Sequence, residues 1–293
     1  MSKYFDQTFK TRDAGTDPEK LQITGIDKFL ETGSSFKNSA PGMGASGDLG
    51  ESRLGKCRKM KIPAVGKLLG QFGGGPALEA AEESYRALRT RLLRARSAQG
   101  LRSVVVTSAT PGEGKTLTSL NLSLCCAQLH DLRVLLIDAD IRTSGLSRTL
   151  GFPPGPGLVD VLSGKCEPRN AILATDIPNL YTLGSGSHTT QPAELFASSH
   201  WQEFISWCSE SFKLVLIDSP PVLNLTDVDL IAAACDGVVM VVRAQHAKRE
   251  VLQKCAGQID PKKLLGVVYN AVESGAHDHY SYGGYTAARK EST

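Results

Sequence analysis

The segment Ser103–Thr116, SVVVTSATPGEGKT, constrains this chain more than any other. Its second half, from Ala109 to Thr116, fits the pattern [AG]-x4-G-K-[ST], with Ala109 where glycine is usual. A β-branched apolar run precedes it and helix formers follow, which is the strand–loop–helix setting such a loop requires. Gly112 and Gly114 let backbone N–H groups curl around phosphate oxygens, and the helix N-terminus beyond adds partial positive charge. Lys115 is then placed to bridge the β and γ phosphates, and the Thr116 hydroxyl to ligate Mg2+. The segment reads as a cradle for Mg-ATP formed by Pro111, Gly112, Glu113, Gly114, Lys115, Thr116 and Leu117.

Around this loop, apolar runs alternate with helical stretches. The runs are Ser103–Thr107, Arg133–Ile137, Leu180–Leu183, Leu214–Ile217, Gly237–Val242 and Leu264–Val268. They are apolar on consecutive residues, as expected of parallel strands covered on both faces. Upstream, ALEAAEESYRALRTRLLRAR from Ala77 carries no helix breaker and reads as a long amphipathic helix. A second helix is expected from about Thr116 to His130. The pattern predicts a P-loop NTPase of the α/β class: a doubly wound, mostly parallel sheet with helices on both faces, in one domain over 76–275.

Two further carboxylate sites close strands: Asp138 and Asp140 after RVLLI, and Asp218 after LVLI. Ligands of open parallel sheets bind outside the carboxyl ends of the strands, so all three can face the loop. There, carboxylates serve a Mg2+ ion or accept a proton from an attacking hydroxyl. Pro220 and Pro221 fix the chain direction beyond Asp218 and read as scaffold.

Residues 1–75 have a different texture: few aliphatic runs, and linker-like stretches such as SAPGMGASGDLG (39–50) and Gly73–Pro76. They are expected to be flexible, as is the tail over 276–293. Residues 1–70 hold twelve Lys and Arg against eight Asp and Glu, which leaves the remainder about neutral within a total of +3. A net charge this small does not point to nucleic acid. The densest basic cluster, Lys56, Arg58, Lys59 and Lys61, reads as a solvated linker, with contact to acidic lipid headgroups as the alternative. Seven cysteines with no CxxC pair read as buried or half-buried thiols of a reducing compartment. The N-terminus lacks the apolar core of a secretory signal, and no apolar run is long enough to span a bilayer. A cytosolic protein is expected.

These residues together resemble the bacterial tyrosine kinases of the capsular and exopolysaccharide type. The likeness runs from about Glu79 to Asn270 and rests on SATPGEGKT (108–116), LLIDADIR (135–142) and VLIDSPP (215–221). GLVDVLSG (157–164), NLYTLGSG (179–186) and PAELFASS (192–199) extend it. Glu83-x-x-Arg86-x-x-Arg89 matches the oligomerisation motif of that family, and its spacing lines the three side chains along one helix face. The resemblance implies autophosphorylation, between neighbouring subunits of a homo-oligomer, of tail tyrosines, here Tyr280, Tyr282 and Tyr285. It implies that Thr116, Asp138 and Asp218 hold Mg2+, that Asp138 or Asp140 orients or deprotonates the tyrosine, and that Asn270 contacts the nucleotide base. It further implies a separate transmembrane, polysaccharide co-polymerase-type activator, a tyrosine phosphatase, and a peripheral position at the inner face of the membrane. His277 and His279, in the same tail, are weak evidence for a metal.

Two rivals stand beside this reading. One is a partition-type P-loop ATPase switch, whose loop carries a second lysine five residues before the invariant one; Thr110 holds that position here. The other is a non-catalytic, nucleotide-sensing regulator of polysaccharide assembly.

Overall fold

The computed structural model describes residues 54, 57–62, 76–223 and 226–271. Eight strands form one sheet in the spatial order β1-β4-β5-β3-β6-β2-β7-β8. They are β1 (Arg58–Met60), β2 (Ser103–Ser108), β3 (Val134–Asp138), β4 (Leu173–Thr175), β5 (Leu180–Leu183), β6 (Leu214–Asp218), β7 (Gly237–Arg243) and β8 (Leu264–Asn270). Every neighbouring pair is parallel except β4 with β5. The expected parallel α/β sheet is therefore present, with a short antiparallel turn-back near one edge.

Strand alternation divides the core in two. Val104 and Val106 of β2, Val134 and Leu136 of β3, and Leu214 and Leu216 of β6 face one layer. Val105, Leu135, Ile137, Val215 and Ile217 face the other. Side chains alternate between faces, so a strand covered on both sides must be apolar throughout. The first layer is covered by α1 (Pro76–Gln99) and α2 (Lys115–Ala127), which deliver Tyr85, Leu88, Leu92 and Leu120. The buried positions of α1, at 85, 88, 92 and 95, repeat at helical spacing. α3 (Gly145–Leu150) completes that layer with Leu146 and Leu150.

The opposite layer holds α4 (Leu158–Leu162), α5 (Pro168–Ala171), α6 (Pro192–Ala197), α7 (Ser199–Ser211), α8 (Asp227–Ala233) and α9 (Arg249–Ala256). At its centre Trp201 is fully buried, edge-on to Phe196, and donates its indole N–H to the Ile231 carbonyl at 3.2 Å. All seven cysteines are free, five of them buried and two half-buried, as their spacing implied. Among the described residues no helix is long and apolar enough to cross a membrane.

Two strands were not foreseen, and one corrects the reading of residues 1–75 as linker. β1 lies within that stretch and pairs with β4 in parallel. Met60 and Ile62 are buried, and the Ile62 N–H is taken by the Asp176 carboxylate at 3.0 Å. Arg58 and Lys59 point outward from this edge strand, so their charge is part of the sheet and opposes further strand pairing. Lys56 lies outside the described residues. α2 ends at Ala127, three residues before His130.

Truncating Trp201 to alanine removes the largest buried side chain and leaves the Ile231 carbonyl without its donor. A loss of about 3–5 kcal/mol is expected, read as a lowered urea midpoint.

Candidate functional site

β2 is buried along its whole length, and the chain leaves it at Ser108 to enter the loop before α2. Gly112 and Gly114 take φ of +83° and +92°, a region open to glycine and strained for other residues. A side chain at 114 would also run into the Asn270 amide. Gly114 caps α2 through its carbonyl, which accepts the Thr118 N–H at 2.9 Å. The N–H groups of Lys115, Thr116 and Leu117 fall in the first turn, where a helix offers no internal acceptor. They open towards the loop.

Protein groups brace the loop from outside. The buried Glu113 carboxylate turns inward and accepts the N–H and hydroxyl of Thr110 and the Arg243 N–H. Asn270, at the end of β8, donates to the Glu113 carbonyl at 2.9 Å. His246 Nε2 donates to the Pro111 carbonyl at 2.9 Å, with its ring over Gly112. The expectation that Glu113 and Asn270 contact nucleotide thus meets side chains engaged with the loop itself. Arg243 and His246 were missed, because no pattern links an exposed loop after one strand to a glycine loop after another.

The carboxylates converge on the same place. β3 and β6 pair with Asp138 opposite Asp218, so two buried acids stand side by side at adjacent strand ends. Asp140, two residues on and also buried, accepts Lys115 Nζ at 3.0 Å. The same ammonium lies 3.4 Å from the Thr116 hydroxyl. Asp138 Oδ2 is fixed by the Ser147 N–H at 2.7 Å and hydroxyl at 2.6 Å. Ser119 donates to Asp218 Oδ1 at 3.3 Å. The remaining oxygens, Asp138 Oδ1 and Asp218 Oδ2, are buried with no partner among the described residues.

Burial dominates both acids. It raises Asp138 to about 6, against the opposing hydrogen bonds of Ser147, and Asp218 to about 7, against the charge of Lys115 and the Thr116 hydroxyl. Two orphaned carboxylate oxygens beside a hydroxyl fit a hard divalent cation. Among the described residues no cluster of three or more His, Cys, Asp or Glu could hold a metal. This set suits Mg2+ instead, which fills its other positions with phosphate oxygens and water.

The remaining site residues lie elsewhere. Glu83 and Arg86 are exposed on α1, with Arg86 bridging Glu82 and Glu83, each at 3.1 Å. Arg89 does not continue that exposed stripe; it turns in and donates to the Cys125 carbonyl in the last turn of α2 at 2.8 Å. Arg142 forms a forked ion pair with the buried Asp227, at 2.6 and 3.1 Å, across the strand ends. Tyr280, Tyr282, Tyr285, His277 and His279 lie outside the described residues.

Both raised acids bind protons more tightly in the fold than in the unfolded chain, where 3.8 is the ordinary value. Their contribution to stability should therefore be greatest near pH 4 and fall as pH rises to about 7. The slope is about 1.4 kcal/mol per pH unit for each proton exchanged. Asp218→Asn should flatten the upper part of this dependence, as measured by urea unfolding across pH.

Comparison with known proteins agrees with this geometry. The family model described as an AAA domain matches residues 101–261. The tyrosine-protein kinase CpsD of Streptococcus agalactiae is 33% identical over 207 residues, covering 70% of this chain and 89% of that protein. Tyrosine-protein kinase YwqD of Bacillus subtilis (strain 168) is 33% identical over 204 residues, covering 69% and 86%. Among solved structures, the BceF tyrosine kinase domain superposes with a TM-score of 0.63 at 28% identity, covering 77% of this chain and 88% of that one. With its phosphate loop and paired carboxylates on a P-loop NTPase sheet, the chain belongs to the bacterial tyrosine-protein kinase family.

Proposed function

We propose that this chain transfers the γ-phosphoryl group of ATP to tyrosine hydroxyls, including its own Tyr280, Tyr282 and Tyr285 in a neighbouring copy. The observation that carries the reading is the convergence of Lys115, Thr116 and the three buried carboxylates on one glycine loop. It occurs within a core one third identical to named tyrosine-protein kinases.

The chemistry follows from the residues in place. The ATP phosphates take hydrogen bonds from the loop amides between Gly112 and Leu117, and Lys115 neutralises their charge. Lys115 thereby leaves Asp140, whose Oδ2 is freed to accept the hydrogen of an incoming tyrosine hydroxyl. That hydroxyl has an ordinary pKa near 10, so a carboxylate acceptor assists its attack at neutral pH. The phenol oxygen bonds to the γ phosphorus as the bond from that phosphorus to the β–γ bridging oxygen breaks. The proton passes to Asp140, and ADP departs with the bond electrons. Asp138, held by Ser147, stands beside this path and is the second candidate for the acceptor role.

Thr116, Asp138 and Asp218 would hold Mg2+, Asp218 through water. When bound, the ion supplies neutralisation of the phosphate oxygens. Asn270 and His246 hold the loop in the shape the phosphates need.

Transfer between copies requires an oligomer, and the exposed Glu83–Arg86 stripe of α1 is the surface proposed to form it. Arg forks suit carboxylates across such a contact. Following the family, the setting is regulation of exopolysaccharide or capsule synthesis and export at the inner face of the membrane. A separate membrane protein activates the chain there, and a tyrosine phosphatase reverses it.

Incubation of the purified chain with Mg-ATP, with and without the cytoplasmic segment of a candidate activator, tests this directly. Mass spectrometry should place phosphate on the tail tyrosines. Lys115→Ala should abolish the label, and Phe at 280, 282 and 285 together should remove most of it. Asp140→Asn should slow labelling about 100-fold or more while Mg-ATP still binds; labelling at the native rate would remove Asp140 from the acceptor role. ATP hydrolysis without tyrosine label would defeat the kinase reading.

A second outcome separates the α1 residues. Glu83→Ala with Arg86→Ala should dissociate the oligomer in sedimentation and slow labelling without lowering the melting temperature. Arg89→Ala should instead lower that temperature, because it breaks the bond to α2.

A further inference from the structure

At the opposite end of the sheet from the phosphate loop, the residues just before three strands meet the end of α1. Arg102 precedes β2, Leu132 precedes β3 and Lys213 precedes β6. With Arg96 from the last turn of α1 and His130 beyond α2, they line a cleft of about 550 Å³. The volume falls in the range that holds a small ligand or one anchored side chain.

Its chemistry is two-sided. Arg96, Arg102, Lys213 and His130 bring cationic or proton-accepting heads, against which Asp131 is the acid in the lining. Arg96 is fixed in place: its Nε donates to the Lys213 carbonyl at 2.9 Å, which leaves the outer guanidinium nitrogens for another acceptor. Burial and the adjacent Arg102 charge both press on the Arg96 cation, so an anion here relieves a repulsion built into the fold. The apolar side is formed by Leu93, Leu132 and Leu129, and Leu129 is the exposed large hydrophobic residue among those described, at 36%.

A ligand that matches both sides carries a phosphate dianion on an apolar body. Phosphotyrosine has this form: an aromatic ring for the leucines and three acceptor oxygens for the arginine and lysine heads. We infer that this cleft is a docking site for a phosphotyrosine of the chain's own 272–293 segment, in the same or a neighbouring copy. The inference rests on the tail being the acceptor in the proposed reaction. Tyr285 lies fourteen residue steps beyond Ala271, and such a length spans up to about 46–50 Å. β8 carries seven residues, and at about 3.3 Å each they cover roughly 23 Å of the way back along the sheet. The reach suffices within one copy and more readily between copies of an oligomer. Docking there would hold the product tyrosine at the far end of the sheet from the loop that modified it.

Binding can be measured without relying on the chain's own catalysis. Synthetic peptides of residues 276–293, unmodified or phosphorylated at Tyr280, Tyr282 or Tyr285, are titrated by fluorescence anisotropy against the full chain after phosphatase treatment. At least one phosphorylated peptide should bind ten times or more tighter than its unmodified form, and Arg102→Gln with Lys213→Gln should remove that preference. Neither residue belongs to the phosphate loop, so ATP binding by the variant should be unchanged and reports on its folding. Equal binding of modified and unmodified peptides, or undiminished preference in the variant, would overturn the proposal. So would binding to anionic lipid vesicles that depends on Arg102 and Lys213 when no phosphopeptide binds, because the cleft would then be a membrane contact. If the phosphopeptide binds here but Mg-ATP never labels the tail, the docking site stands and the kinase reading fails.

Discussion

A single ammonium stands among three buried carboxylates at the carboxyl ends of β3 and β6, and the site depends on that imbalance. Lys115 reaches Asp140 at 3.0 Å, while Asp138 and Asp218 each keep one oxygen with no partner among the described residues. An ionised carboxylate without a partner is costly to bury, which is why these acids are pushed up to about 6 and about 7. The parallel register that sets Asp138 opposite Asp218 makes this unavoidable. A sheet that paid for such an arrangement with nothing in return would have apolar residues at these two positions. A divalent cation beside the acids would supply the missing positive charge and offset that of a bound nucleotide's phosphates.

Other parts of the chain supply partners that hold the loop in shape. Glu113 turns into the protein to gather the N–H groups of Thr110 and Arg243, and Asn270 takes hold of the loop from β8. β7 and β8, both on one side of β2, therefore fix the positions of Gly112 and Gly114. α2 is braced in turn by α1, through Leu88 and Leu92 in the shared core and through Arg89 on the Cys125 carbonyl. α1 also displays Glu83 and Arg86 at the surface. One rigid helix thus joins the surface proposed for oligomer contacts to the helix that begins at Lys115.

Much of this was legible in the sequence, for physical reasons. Strands covered on both faces must be apolar at every position, so β2, β3, β6, β7 and β8 stand out as continuous runs. The glycine loop has few uses, and the acids Asp138, Asp140 and Asp218 sit where a parallel sheet presents its ligands. What stayed hidden depended on long-range pairing. β1 and β4 are three residues each and gain their regularity from one another, and Arg58 and Lys59 disguised β1 as a charged linker. Arg89 has the spacing of an exposed stripe, yet it is long enough to reach the end of α2. Glu113 sits at a position usually left to phosphate contacts, and nothing local reveals that Thr110 and Arg243 turn it inward.

Position 110 bears on which use of this fold the site supports. A partition-type switch carries a lysine there, as a second cation beside the phosphates. Here Thr110 donates both its N–H and its hydroxyl to the buried Glu113 carboxylate. A lysine at 110 would lose the hydroxyl contact, and an ammonium seeking phosphate would pull away from the group that holds the loop closed. With Thr110 committed inward, the positive charge at the loop comes from Lys115, the helix N-terminus and the Arg243 guanidinium, which donates to the Gly112 carbonyl at 3.5 Å. The buried carboxylates beyond them stand at and just past the carboxyl ends of β3 and β6, where a parallel sheet presents its ligands.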